Sequence, residues 1–274
     1  MTWWQQLPEH ISPAIFNIGS FELRWYSVMY LVSFIVGYLM VAYRLKHEKN
    51  FKYDIKIIQD LFLWSILGLL VGGRLGYILF YNFGYFWANP LEAILPFSFN
   101  GGISYTGLAG MSFHGGVIGI FIAAGIFLKL KKINFWKMSD LVVPGLPLAY
   151  TFGRIGNFLN GELWGRATES SIGMYFPEDS SGLLRHPSQL YEAFLEGLVL
   201  FTILWLLRKK NFASGTLLGI FLIGYAIARV IAEMFREPDE HLGFIFSYIT
   251  MGQILSFFMV VIGTGIIYWV NKKK

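Results

Sequence analysis

From residue 153 to 166 the chain reads Gly153-Arg154-Ile155-Gly156-Asn157-Phe158-Leu159-Asn160-Gly161-Glu162-Leu163-Trp164-Gly165-Arg166, directly after an apolar stretch. A charged side chain at the middle of a bilayer costs roughly 2.5–3.5 kcal/mol on insertion scales, so Arg154 at membrane depth requires a partner or a ligand. Glycine lets backbone approach a ligand closely, and a guanidinium donates in a fork that matches phosphate, so the segment suits an anion. Taken singly, each of these residues fits a capped helix end; the clustering of Arg154, Asn157, Asn160 and Glu162 favours a site.

Further polar residues fall at telling intervals. In Met111-Ser112-Phe113-His114-Gly115-Gly116, His114 enters an apolar stretch. Taken alone the residue fits a hydrogen-bonded histidine at the membrane interface, but an imidazole with an ordinary pKa near 6.5 suits a general base, and the glycine pair is expected to clear space around the ring. Tyr225, Arg229, Glu233 and Arg236 are spaced by four, four and three, which puts them on one helical face and predicts an Arg229–Glu233 ion pair. That face is a packing device, a second guanidinium held for an anion, or both. Gln189, Glu192 and Glu196 share another face, read as orienting its neighbours, and Gly72-Gly73-Arg74 and Tyr81-Asn82 are weaker hints of the same cavity. Tyr26 stands in an aromatic pair, Trp25-Tyr26, of the kind found at membrane boundaries.

The elements that must position these residues are membrane spans. Of 274 residues, 55% are hydrophobic and 14% charged, with a mean hydropathy of +0.53, against about 25% charged in soluble domains. Seven apolar stretches, predicted helical, lie near 23–43, 57–80, 113–130, 141–158, 190–207, 215–235 and 247–270 in one polytopic domain over 1–274. Fifteen of the 22 Lys and Arg residues fall in 44–56, 129–137, 208–211 and 272–274, all on one side of the membrane if the seven stretches are spans. The positive-inside rule then places the N-terminus outside and the C-terminus in the cytoplasm, with the stretches 81–112 and 159–189 forming a small outer head over the site. Four arginines remain within or beside spans: Arg24, Arg74, Arg154 and Arg229. No cleavable leader is expected from the N-terminal residues. Pro144, Gly145 and Pro147 break the fourth span, which predicts a cavity there, open to the outer leaflet.

Composition also excludes classes. With no cysteine, the chain has neither disulfide nor thiolate of its own, so any thiol chemistry uses another molecule's thiol. The net charge of +5 is spent on topology rather than on a basic stripe, so nucleic acid is not an expected partner. A transporter accounts for buried charges and a broken span, but no repeated half is found. An intramembrane serine protease is raised by Gly110-Met111-Ser112 before His114, although Phe113 stands where a glycine is expected. A membrane scaffold leaves the arginines unexplained.

The segments 153–166, 112–116, 186–192 and 225–239 together resemble the bacterial phosphatidylglycerol–prolipoprotein diacylglyceryl transferases. The family pattern Gly-Arg-x-Gly-Asn-Phe-x-Asn-Gly-Glu-x-x-Gly runs without a gap from Gly153 to Gly165. The resemblance implies a seven-span, N-out plasma-membrane enzyme that moves diacylglyceryl from phosphatidylglycerol to the lipobox cysteine of a secreted precursor and releases glycerol phosphate. It implies that Arg154 and Arg229 hold the lipid phosphate, that Asn157, Glu162, Gly165, Glu233 and Tyr26 are needed, and that His114 activates the thiol. Asn160 and Arg236 are added as lipid-binding candidates from their places beside these residues. No metal and no cofactor are implied.

Overall fold

The computed structural model describes residues 2–18, 21–95, 97–98, 104–105, 110–237 and 249–273. A 3-10 turn at Leu7–His10 leads into an antiparallel hairpin of β1 (Ala14–Ile18) and β2 (Phe21–Arg24), and then α1 (Trp25–His47). There follow α2 (Ile55–Tyr81), the short α3 (Phe83–Ala88) and α4 (Pro90–Ile94), a second small hairpin of β3 (Phe97–Ser98) with β4 (Ser104–Tyr105), and α5 (Phe113–Leu130). Next come α6 (Phe135–Val142), a 3-10 turn at Val143–Gly145, and α7 (Leu146–Leu159). The chain ends with α8 (Ser188–Glu192), a π-helical stretch at Ala193–Val199, α9 (Leu200–Leu207), α10 (Thr216–Glu233) and α11 (Met251–Lys272).

The architecture is helical, as expected, with the two short hairpins as additions that an all-α reading omits. Among the described residues, five helices are long and apolar enough to cross a membrane: Trp25–His47, Ile55–Tyr81, Ser188–Leu207, Thr216–Glu233 and Met251–Lys272. The third expected span is a shorter apolar helix, His114–Leu130, and the fourth is cut in two between α6 and α7. The break itself is packed rather than open. Val143, Pro144 and Gly145 are buried, and a Cβ on Gly145 would come within 2.7 Å of the Met40 Cβ, so α1 fills the break. Residues 96, 99–103 and 106–109 of the stretch 81–112 expected outside, Asp239 and the start of the last expected span at 247 lie outside the described residues.

The chain forms two compact units, Met1–Lys49 with Trp136–Lys274, and Asn50–Phe135. In the second unit α2 packs along α5 through glycines. A Cβ on Gly119 would lie 2.0 Å from the Gly68 carbonyl oxygen, and one on Gly115 would lie 2.4 Å from that of Gly72. Small residues allow this approach where lipid removes the hydrophobic drive for helix association. Gly115 therefore serves the helix seam rather than space around His114. Ser112 caps α5, its Oγ accepting from the Gly115 N–H at 3.2 Å, so the serine of the protease reading is occupied structurally. Arg74 staples the short helices to α2: it donates to the carbonyls of Glu92 (2.6 Å) and Gly110 (3.4 Å), with its guanidinium 4.8 Å from the centre of the Phe86 ring.

In the first unit α1 packs on α7 and α10 on α11. Arg24, one of the four arginines singled out by position, stands half-exposed as the residue before α1 and pairs with Glu22 at 3.2 Å, so it needs no functional explanation. Arg44, counted among the cytoplasmic surface charges, is only 1% exposed. It donates to the carbonyls of Asp140 (2.5 Å) and Leu141 (2.6 Å) near the end of α6 and pairs with Glu48 at 2.7 Å, which also takes Arg208 at 3.1 Å. The Asp140 carboxylate in turn accepts the free N–H groups opening α10, from Gly215 (2.7 Å) and Leu217 (3.1 Å). Removing one partner of a buried pair costs about 3–5 kcal/mol. Arg44→Ala is accordingly expected to destabilise the protein by about that amount, read as a lower midpoint of thermal unfolding in detergent. A midpoint equal to wild type would mean that this ladder of contacts contributes nothing to stability.

Candidate active site

The segment that opened the sequence reading forms the end of α7 and the turn after it. Asn160 ends the helix, and Gly161 at φ +70° reverses the chain in a left-handed conformation that a side chain would strain. The turn brings Glu162 back over the helix end. Its N–H bonds to the Asn157 carbonyl at 3.1 Å, and its carboxylate accepts from the side-chain amides of Asn157 (2.7 Å) and Asn160 (3.2 Å). From α8, Gln189 donates to the Glu162 carbonyl at 2.6 Å and Ser188 to that of Leu163 at 3.1 Å. Leu163 sits at φ +60°, a conformation costing a non-glycine residue roughly 1 kcal/mol or more. Together these bonds tie the signature turn to the start of α8.

Beyond it, Gly165 bridges antiparallel to Arg236, just past α10. The Gly165 N–H bonds to the His186 carbonyl at 2.8 Å and that of Arg166 to the Phe235 carbonyl at 2.9 Å, while the Arg166 side chain donates to the Arg236 carbonyl at 2.9 Å. A Cβ on Gly165 would stand 2.3 Å from the Phe235 carbonyl oxygen and 2.8 Å from that of His186. The His186 ring packs edge-on against Tyr191 and Phe235, with Nδ1 3.1 Å from the Tyr191 hydroxyl. Its burial pushes the imidazole pKa below its ordinary value, so it is neutral near pH 7.

The charged centre lies where α7, α8 and α10 meet. Arg154 from α7 approaches Glu192 of α8 at 2.9 Å, and Arg229 from α10 reaches the same carboxylate oxygen at 3.1 Å. Arg236 takes the other oxygen at 3.4 Å. Arg154 also donates to the Tyr150 hydroxyl at 2.6 Å and to the Asn157 side-chain carbonyl at 3.2 Å, which joins the charged centre to the signature turn. The Tyr150 hydroxyl donates to Glu196 at 2.6 Å, and the expected Arg229–Glu233 pair is present at 2.8 Å. The carboxylates of Glu192 and Glu196 are fully buried, whereas the side chains of Arg154, Arg229 and Arg236 keep 16%, 14% and 11% exposure. The guanidinium groups are thus held by buried carboxylates on side chains that keep some exposure, an arrangement suited to an incoming anion.

Of the residues chosen from sequence, Arg154, Asn157, Asn160, Glu162, Gly165, Arg229, Glu233 and Arg236 stand in this one connected network. Tyr26 is one helix away, where a Cβ on Gly156 would lie 3.5 Å from the Tyr26 Cα. Its ring centre is 4.7 Å from that of Tyr30. His114 belongs to the second unit, exposed in the first turn of α5. Sequence reasoning passed over Tyr150 entirely and gave Glu192 a supporting part. The available signal was the pair Glu192 and Glu196, two acids four apart inside an apolar helix, which cannot be buried without cations.

A family model described as prolipoprotein diacylglyceryl transferase matches residues 13–269. The chain belongs to that family. A protein of Chlorobaculum tepidum named phosphatidylglycerol–prolipoprotein diacylglyceryl transferase is 50% identical over 273 residues, covering 99% of this chain and 94% of the relative. Relatives of the same name from Rickettsia bellii (47% over 263 residues, 94% of this chain and 95% of the relative) and Bordetella parapertussis (42% over 261 residues, 95% of each) are similar throughout.

The crowding at Gly165 predicts that Gly165→Ala forces the two carbonyls apart, at a cost of about 1–3 kcal/mol. The variant is expected to lose thermal stability by that order and to loosen the loop after α10, read as faster amide exchange at residues 165–167 and 235–237. Wild-type exchange in both segments would mean that the contact is not needed to hold them.

Proposed function

We propose that this protein transfers the diacylglyceryl group of phosphatidylglycerol to the lipobox cysteine thiol of a prolipoprotein, releasing glycerol phosphate, as the first step of lipoprotein maturation. The observation that carries the reading is the convergence of Arg154 and Arg229 on one buried carboxylate, with both arginine side chains still partly exposed. Membership of the family and the names of relatives from three organisms support the substrates. The lack of any cysteine in the chain fits a reaction whose thiol comes from the partner.

In this reading the chain crosses the bacterial plasma membrane seven times, with α5 and the α6–α7 pair as the third and fourth spans. The N-terminus and the site face outward, under a head formed by the outer loops. The precursor's thiolate attacks the glyceryl carbon that bears the phosphate. A C–S bond forms, the C–O bond breaks, and its electron pair leaves on the phosphate oxygen. A free thiol has a pKa near 8.5 and reacts as thiolate, so removing its proton raises the reactive fraction, and the reading gives that proton to His114. The phosphate begins with one negative charge and gains a second as the bond breaks. Donors fixed around a developing charge stabilise it more than they stabilise the substrate, and this is the part given to Arg154 and Arg229. Asn157 holds Arg154 in place, Glu162 fixes Asn157, and Asn160, Glu233, Gly165 and Arg236 complete the lipid-binding wall. Tyr26 lines it from α1.

Removing one such donor costs about 100- to 1000-fold in rate. Arg154→Ala, checked for membrane insertion, is therefore expected to lose at least about 100-fold in transfer to a lipobox peptide in phosphatidylglycerol micelles, read by mass spectrometry of the peptide. Normal transfer by that variant would sink the phosphate role. His114→Gln is expected to lose about 100-fold near neutral pH and to recover as pH approaches the thiol pKa, since hydroxide then supplies the thiolate. An unchanged rate and pH profile would remove His114 from the reaction.

A further inference from the structure

Glu192 has no exposed surface, and it is the one carboxylate among the described residues that touches Arg154, Arg229 and Arg236 together. Its neighbours are claimed elsewhere: Glu233 by Arg229 of its own helix at 2.8 Å, and Glu196 by the Tyr150 hydroxyl at 2.6 Å, with Arg229 only at 3.7 Å. Among the described carboxylates, Glu192 alone thus bears on all three of these guanidinium groups. Because Glu192 is enclosed while the three arginines are partly open, an anion must approach them from the side that Glu192 does not occupy.

We infer that Glu192 is a built-in counter-anion that limits how tightly the arginine cluster holds phosphate, so that the product can leave. The inference rests on the transferase reading. The reaction turns a phosphodiester with one negative charge into a phosphate monoester with between about 1.5 and 2 at pH 7. Without Glu192 the cluster would be more positive by one unit charge and would favour the more highly charged product over the substrate. Turnover would then stall on retained glycerol phosphate. With Glu192 in place the cluster holds anions less strongly, and its arginines act through directed hydrogen bonds that form best as charge develops on the leaving oxygen. One unit charge at about 6 Å in an effective dielectric near 20 changes binding by well over tenfold, which is enough to decide between release and retention.

The test compares wild type, Glu192→Gln and Glu192→Asp as full-length protein in phosphatidylglycerol micelles. It reads transfer to a lipobox peptide and its inhibition by added glycerol phosphate. Glu192→Gln keeps the shape and loses the charge: glycerol phosphate is expected to inhibit it at least about tenfold more strongly, with kcat lowered and the KM for lipid not raised. Glu192→Asp keeps the charge but draws it back by one methylene, and its inhibition is expected to fall between those of wild type and Glu192→Gln. If Glu192 merely props the helices, Glu192→Gln raises KM and weakens inhibition, and the inference is overturned. Equal inhibition in wild type and Glu192→Gln overturns it too. Should Glu192→Gln fail to fold, as shown by a lost unfolding transition, the Asp variant decides. Its carboxylate, drawn back by one methylene, is expected to leave glycerol phosphate inhibition several-fold tighter than wild type, and unchanged or weaker inhibition refutes the idea. Absence of transfer by wild type would instead strike at the transferase reading.

Discussion

Taking an ionised group out of water costs several kcal/mol, and in a bundle of apolar helices that cost is recovered only by close opposite charges with well-aligned hydrogen bonds. Glu192 imposes this condition on the rest of the first unit. Its carboxylate is stable only if Arg154, Arg229 and Arg236 converge on it, which fixes α7, the body of α10 and the chain just beyond α10 around one point. Once Arg154 is held there, Asn157 is within its reach, and the turn at Gly161 returns Glu162 to the Asn157 amide. Once Arg236 is held there, the backbone beside it is available to Gly165 and Arg166. The signature segment and the polar face of α10, far apart in sequence, thus become parts of one wall.

A second set of charges organises the opposite end of α1. Arg44 closes the carbonyl end of α6, Glu48 joins it to Arg208 after α9, and Asp140 caps the amide end of α10. Each of these groups satisfies backbone atoms that a helix end leaves unpaired and that lipid cannot satisfy. The bundle is therefore pinned at two levels by ionic groups, with Val143, Leu200 and Leu204 forming an apolar cluster in the same unit.

Much of this was legible in the sequence, and the rest was hidden for physical reasons. The spacing of Arg229 and Glu233 by one helical turn was enough to predict their ion pair, and the density of polar residues after an apolar run marked the segment that joins the connected polar network. Arg44 could not be recognised as buried, because positive-inside counting treats every Lys and Arg near a span end alike, whatever its side chain meets. Tyr150 was hidden for the opposite reason: a tyrosine in an apolar helix fits simple packing, and only the approach of Arg154 and Glu196 reveals its hydroxyl as a junction. The glycines beside His114 signalled a close approach, but the approaching body is α2 rather than a ligand. Pro144 and Gly145 marked a real break, although one side chain of α1 was sufficient to fill it.

The π-helical stretch at Ala193–Val199 has a consequence for how this helix tolerates change in length. A wider turn accommodates one more residue than an α-helix over the same rise, and such turns are frequent at functional sites. Two demands bear on this one rod: at one end Glu192 must point at the arginines, and at the other Leu200 and Leu204 must enter the core. Deleting one residue between 193 and 199 would let the helix become regular with both ends still near their targets, whereas each further residue removed from an α-helix turns the direction of the following side chains by about 100°. This span therefore holds a single spare residue, and a second deletion would rotate one end off its target.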